Sequence, residues 1–228
     1  MGSALFIVTL LLAFCSIVYE LLLGQLLSAF LGNTIVRYSV TVGLYMSSMG
    51  FGALLLPKRF QTECFVGLLK VELALSIIGS SAAMILLASN FMGLQGLPFS
   101  FLAHSLIVVI GVLTGFEIPL LIAIGNSLKP QSEARVLGVD YLGAFLGSVL
   151  FAFFFYPHVG IFLTAFIVGL INALAGLSLF RFWSLFQETE RTQSKFFLVA
   201  LLFIAVVLLI LIANGDSIEQ LGTRMYLQ

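Results

Sequence analysis

Four carboxylates stand inside long apolar runs: Glu20, Glu72, Glu117 and Asp140. A charge at membrane depth is costly unless it is paired, faces water in a cavity, or holds a cation. The most demanding stretch is Gly115-Phe116-Glu117-Ile118-Pro119-Leu120-Leu121. Pro119 has no N–H to donate and crowds the carbonyl of Gly115 four residues back. The pattern predicts a helix kink, with an under-satisfied carbonyl beside the Glu117 carboxylate. Two such acceptors suit an ammonium group, a metal ion or a proton. The plainer alternative is a kinked packing helix whose Glu117 is paired to Lys70 or Arg135.

The other acids read in the same two ways. Glu20 shares a helix face with Ala13, Ser16 and Gly24, so it faces protein or water rather than lipid. It either ties two helices together through Arg37 or belongs to a cation or proton site. Lys70 and Glu72 are two residues apart and point to different faces of their helix. Glu72, Glu117 and Asp140 all fall in the same half of the bundle, and adjoining helices would place them in one cavity. Like charges that close cannot all ionise, so the cluster would hold a proton or a cation. Alternatively, Lys70 and Arg135 neutralise it and fix the packing. Asp140, near the start of its helix, is also favoured by the helix dipole. The rings of Tyr19, Tyr45 and Tyr141 are suited to line a path for a cation. His104, alone on its helix, reads as a packing residue. Cys15 and Cys64 lie on separate segments without metal-type spacing, and there is no HExxH, Walker loop or GxGxxG. No catalytic residue, metal or cofactor is assigned.

The elements that position these groups are apolar helices. Of 228 residues, 61% are hydrophobic and 9% charged. Soluble domains carry about 25% charged residues. A formal net charge of zero gives no basic surface for nucleic acid. Seven segments approach the 20 or so apolar residues that span a bilayer: 4–27, 38–57, 65–89, 101–125, 137–157, 159–182 and 196–213. The fold class is an all-α polytopic membrane protein. Residues 1–213 form one transmembrane domain, and 214–228 a polar carboxyl-terminal tail or linker. The first segment lacks a basic start, and Glu20 interrupts the place of cleavage, so it reads as a retained helix and not a signal peptide.

Loop charge sets the orientation. Lys58, Arg59, Lys129, Arg135, Arg181, Arg191 and Lys195 fall on one side, and Arg37 and Arg224 on the other. This predicts a cytoplasmic amino terminus and an external tail. Glu20 is followed by Arg37 and then by a Gly/Ser-rich helix ending at Pro57. Glu117 is followed by Arg135 and then by a Gly/Ser-rich helix ending at Pro157. The correspondence suggests two inverted three-helix repeats plus one peripheral helix, with a site near the repeat interface. Small residues four apart (Gly43 and Ser47, Ser48 and Gly52, Gly111 and Gly115, Gly143 and Gly147) mark close helix contacts.

In sequence order, Val18-Tyr19-Glu20-Leu21, Gly43 to Gly52, Lys70-Val71-Glu72, Gly115 to Leu120, Asp140-Tyr141-Leu142-Gly143-Ala144 and Tyr156-Pro157-His158-Val159-Gly160 form a pattern. It resembles the amino-terminal membrane domain of bacterial membrane-bound spermidine synthase-like proteins. In these a transporter-like, half-major-facilitator region is fused to a polyamine aminopropyltransferase domain. The tail from Ile218 to Tyr226 resembles the junction with the soluble enzyme. The resemblance implies a bacterial inner membrane location and a link to polyamine metabolism. Two functions follow. One is a domain that binds or transports a polyamine or other cation through Glu20, Glu72, Glu117, Asp140 and Tyr141. The other is an anchor or scaffold for a soluble aminopropyltransferase domain or subunit. Since that domain does not follow Gln228, the chain alone is not expected to be an enzyme. A homodimer is a further expected association, beside the lipid bilayer. The external tail conflicts with a synthase that draws on a cytosolic donor.

Overall fold

The computed structural model describes residues 2–215 and 218. The tail read as a linker therefore lies almost wholly outside the described residues, together with Arg224. The described residues contain eight helices and no strand. They are α1 (Gly2–Leu31), α2 (Thr34–Leu54), the short α3 (Lys58–Thr62), α4 (Cys64–Phe91), α5 (Gly96–Leu128), α6 (Glu133–Leu150), α7 (Ile161–Ser178) and α8 (Glu188–Ala213). A π-helical stretch, Phe151–Val159, extends α6, and a 3-10 stretch, Leu179–Leu185, extends α7.

Six helices are long and apolar enough to cross a membrane. The seventh expected span, 38–57, is the exception. Its helix α2 is 21 residues long, but Arg37, three serines and three glycines dilute its apolar content. The span expected at 137–157 runs from Glu133 to Val159. Its last turns are π-helical, which accommodates the missing N–H of Pro157. The segment ends at Gly160, whose φ of 89° favours glycine. The α1–α2 turn is set by Gly32 and Asn33, both at positive φ, with Asn33 Oδ1 accepting the N–H of Val36. Helix α5 runs unbroken through Pro119. At 33 residues it is about 50 Å long, well beyond the ~30 Å hydrocarbon thickness.

Helices α1 and α4 carry much of the core, through Leu12, Val18, Tyr19, Leu22, Leu68, Leu69 and Leu75. Helix α8 packs on α7 and α4 at the periphery, as expected for an added span. Its outward residues Phe196, Val199 and Phe203 are exposed, as are Phe51 and Leu54 of α2, Phe145 of α6 and Phe153 of the π-helical stretch. An outward apolar face of this kind suits hydrocarbon, where no water competes.

Two close helix pairs build the side of the bundle that carries the site. Helix α2 lies against α5, where a Cβ at Gly115 would strike the Met49 carbonyl and one at Gly52 the Val112 carbonyl. Helix α1 lies against α6, where a Cβ at Gly143 would strike the Leu10 carbonyl and one at Gly147 the Ile17 side chain. Three of the four small-residue pairs thus sit at helix contacts. Gly43 does not: it is exposed, and a Cβ there would meet nothing within 4 Å.

Candidate functional site

The four helices α1, α2, α5 and α6 enclose a cavity of about 170 Å³. Glu20 and Ser16 come from α1, Tyr45 and Met49 from α2, Thr114 and Glu117 from α5, and Asp140 and Tyr141 from α6. The glycine contacts bring these backbones close enough for short polar side chains to meet. Glu117 is 3% exposed and Glu20 is 6% exposed. Glu117 Oε1 is buried with no hydrogen-bond partner among the described residues. Asp140 is half-buried, and Tyr141 is exposed at the rim of the cavity.

A neutral polar wall faces the acids. The Tyr45 hydroxyl lies 3.0 Å from Thr114 Oγ1 and 3.1 Å from Ser16 Oγ, and donates to the Ser16 carbonyl at 3.1 Å. Since Tyr45 is 1% exposed, this network is inside the bundle. Farther along α1, Gln25 bridges two tyrosines. Its amide donates to Tyr156 Oη at 2.6 Å and accepts from Tyr38 Oη at 2.6 Å. That bridge joins α1, α2 and the π-helical stretch.

The charge partners expected from sequence do not form. Among the described residues the ion pair found is Arg59–Glu63, at 3.1 Å on α3 and the adjoining turn. Depth is the reason. Glu20 lies eleven residues before the end of α1, and Arg37 three residues into α2. At 1.5 Å per residue the two differ by roughly 12 Å along the bundle. Glu117 likewise lies eleven residues before the end of α5, and Arg135 two residues into α6. Arg135 is exposed and lines a different cavity of about 200 Å³ with Ser3, Lys129 and Ser132. Lys70 sits between the rings of Phe60 and Phe197, 5.3 and 5.9 Å from their centroids. The cavity therefore concentrates three carboxylates without a lysine or arginine among its lining residues.

Of the expected trio of Glu72, Glu117 and Asp140, the last two line this cavity, and Glu20 lines it with them. Glu72 does not line this cavity; it faces α7, where Asn172 Nδ2 donates to its Oε2 at 2.6 Å. Two buried polar residues were not singled out from sequence. Asn172 is a lone amide in an apolar helix, a signal of the same kind as a lone acid. Glu190 falls between the segments 159–182 and 196–213, outside the apolar runs. It is 1% exposed and accepts the backbone N–H groups of Phe65 at 3.0 Å and Val66 at 3.3 Å.

The chain is similar to proteins named polyamine aminopropyltransferase. That of Leptospira interrogans is 36% identical over 225 residues, covering 98% of this chain and 43% of the relative. That of Oceanobacillus iheyensis is 38% identical over 173 residues, covering 73% of this chain and 33% of the relative. That of Shewanella oneidensis is 30% identical over 239 residues, covering 92% and 40%. The chain thus spans less than half the length of these curated relatives. No family model matches the chain, and no solved structure does. The relatives overturn two expectations. Proteins matched across most of this chain are named for an enzyme, against the readings of a transporter or passive anchor and against the expectation that the chain is not an enzyme. The conclusion the comparisons carry is similarity, over nearly the whole chain, to proteins named for aminopropyl transfer to polyamines.

Proposed function

We propose that this chain acts in polyamine aminopropyl transfer, and that it corresponds to a membrane-spanning part of such an enzyme. The reading rests on the similarity to polyamine aminopropyltransferases along nearly all of the chain. In that reaction an amine nitrogen forms a bond to the aminopropyl carbon as the leaving group departs, and the nitrogen then loses a proton. Substrate and product are chains of ammonium groups separated by methylenes. The cavity suits one end of such a chain. Glu20, Glu117 and Asp140 offer acceptors and negative charge, Tyr45 and Thr114 offer neutral hydrogen-bonding groups, and Tyr141 offers a ring at the rim. Glu117 is the central group, because its Oε1 is buried without a donor. Its role in this reading is capture and placement of the amine.

The arrangement also favours an inverted repeat of α1, α2 and α4 as α5, α6 and α7. Under that correspondence α1–α6 and α2–α5 are equivalent pairs, and both are glycine-mediated contacts. Glu20 and Glu117 are equivalent acids, at equal depth from their helix ends. A site at the interface of two such units is the usual outcome of this topology.

The test is aminopropyl transfer to putrescine by membranes containing the wild-type protein and Glu117→Gln. The expected result is triamine formation by wild type, with a raised KM for putrescine and little change in kcat in the variant. Absence of transfer by wild type, together with no saturable binding of putrescine or spermidine, overturns the functional reading. Unchanged kinetics in Glu117→Gln overturns the site.

A further inference from the structure

The seam between α4 and α7 carries a second polar site. Glu72, Ser76 and Asn172 are each fully buried. Asn172 Nδ2 donates both to Glu72 Oε2, at 2.6 Å, and to the Glu72 carbonyl, at 3.3 Å. That fixes the amide orientation, because the backbone carbonyl can only accept. Three oxygens of these residues then have no hydrogen-bond partner among the described residues: Glu72 Oε1, Ser76 Oγ and Asn172 Oδ1.

They belong to one place. Ser76 stands one turn after Glu72 on α4, and Asn172 stands between Gly169 and Gly176 on α7. A Cβ at Gly176 would come within 3.1 Å of Glu72 Cβ, and one at Gly169 within 2.6 Å of Ser80 Cβ and 3.2 Å of the Ser76 carbonyl. The two helix faces are therefore in close contact, with Asn172 held beside Glu72 and Ser76.

The Ser76 hydroxyl departs from the habit of this protein. Ser48, Ser80, Ser89, Ser127 and Ser148 each donate to the carbonyl four residues back. For Ser76 that carbonyl belongs to Glu72, and it receives the Asn172 amide instead. The hydroxyl oxygen is left free for another partner. A carboxylate, an amide and a hydroxyl thus present oxygens with no donor opposite them. Buried acceptors of this kind carry a desolvation cost that a cation removes.

We propose that Glu72, Ser76 and Asn172 bind a small monovalent cation of the sodium type, which pins α4 to α7. Hard oxygen donors suit such an ion. One carboxylate balances one positive charge at the α4–α7 seam. None of the three residues lines the Glu117 cavity, and the inference does not rest on the proposed reaction.

The experiment is thermal unfolding of the purified protein in detergent, in a sodium chloride series held at constant ionic strength with choline chloride. A cation bound only by the folded state raises Tm saturably with its concentration. The expected result is a saturable sodium-dependent rise in wild type and in Glu117→Gln, lost in Glu72→Gln. Ser76→Ala keeps the charge and deletes one ligand, so its half-saturation moves to higher sodium. Equal Tm in sodium and choline overturns the proposal. A sodium response that survives in Glu72→Gln, vanishes in Glu117→Gln, or keeps its midpoint in Ser76→Ala also overturns it.

Discussion

Glu190 Oε1 accepts the backbone N–H of Phe65 at 3.0 Å, so the first turn of α8 caps the first turn of α4. The same carboxylate accepts from Gln187 N at 3.0 Å through Oε2, closing a capping box on its own helix. One buried acid thereby satisfies open N–H groups on two helices, and its charge lies where both dipoles are positive. Phe65 in turn stacks on Phe186, with ring centroids 4.5 Å apart, which holds the α7–α8 connection against α4.

Glu190→Ala should therefore destabilise the fold more than loss of a single cap. A lost cap costs about 0.5–2 kcal/mol, so loss of two predicts roughly 1–4 kcal/mol. Thermal unfolding in detergent measures it. Glu190→Gln, which keeps a side-chain carbonyl acceptor, should fall between Ala and wild type. A wild-type Tm in Glu190→Ala would show that neither cap matters.

The glycine contacts give a paired prediction. Gly115→Ala places a methyl against the Met49 carbonyl and must separate α2 from α5 or distort one of them. Gly43→Ala meets nothing within 4 Å and gains helix propensity. The first should lower Tm and widen or collapse the cavity. The second should leave Tm unchanged or raise it, since Ala exceeds Gly by about 1 kcal/mol in a helix interior. Similar losses at both positions would contradict the packing described here.

Much of this was legible in the sequence. Apolar runs mark where the long helices lie because hydrocarbon admits little else, and an acid inside such a run stands out at once. Glu20 and Glu117 were visible for that reason, and their parallel spacing to Arg37 and Arg135 is what suggested a repeat. The neighbours of each helix were not legible. Alternation along one helix shows which face is polar and leaves open which other helix it meets. Hence Glu72 was grouped with Glu117 when it faces Asn172, and Arg37 and Arg135 were paired with acids that lie too deep to reach. The segment 38–57 was counted as a span, but the small polar residues of α2, which serve contact with α5, lower its apolarity. Glu190 was missed because its burial depends on where α4 begins.

Tyr45→Phe tests the neutral wall of the cavity. The substitution removes one hydroxyl that lies within hydrogen-bond distance of Ser16 and Thr114. Ser16 and Thr114 keep helix carbonyls within reach, so the expected loss of stability is modest, on the order of 1 kcal/mol. If the wall also receives substrate, KM for putrescine should rise in this variant. A change in stability alone would assign Tyr45 to packing.

Asp140 and Tyr141 are neighbours on α6 and occupy different surroundings: the acid is half-buried and the ring is 72% exposed. This separates charge from contact in spermidine binding. Asp140→Asn should weaken binding by reducing the attraction to ammonium, and the loss should shrink as salt is raised, because added ions screen the wild-type advantage. Tyr141→Ala should weaken binding less and with little salt dependence, since a rim ring offers a partly solvated cation–π contact of about 0.5–1 kcal/mol. Calorimetric titration of spermidine at two ionic strengths distinguishes them. If neither substitution changes affinity, α6 forms only the wall of the cavity, and Glu20 and Glu117 alone hold the ligand.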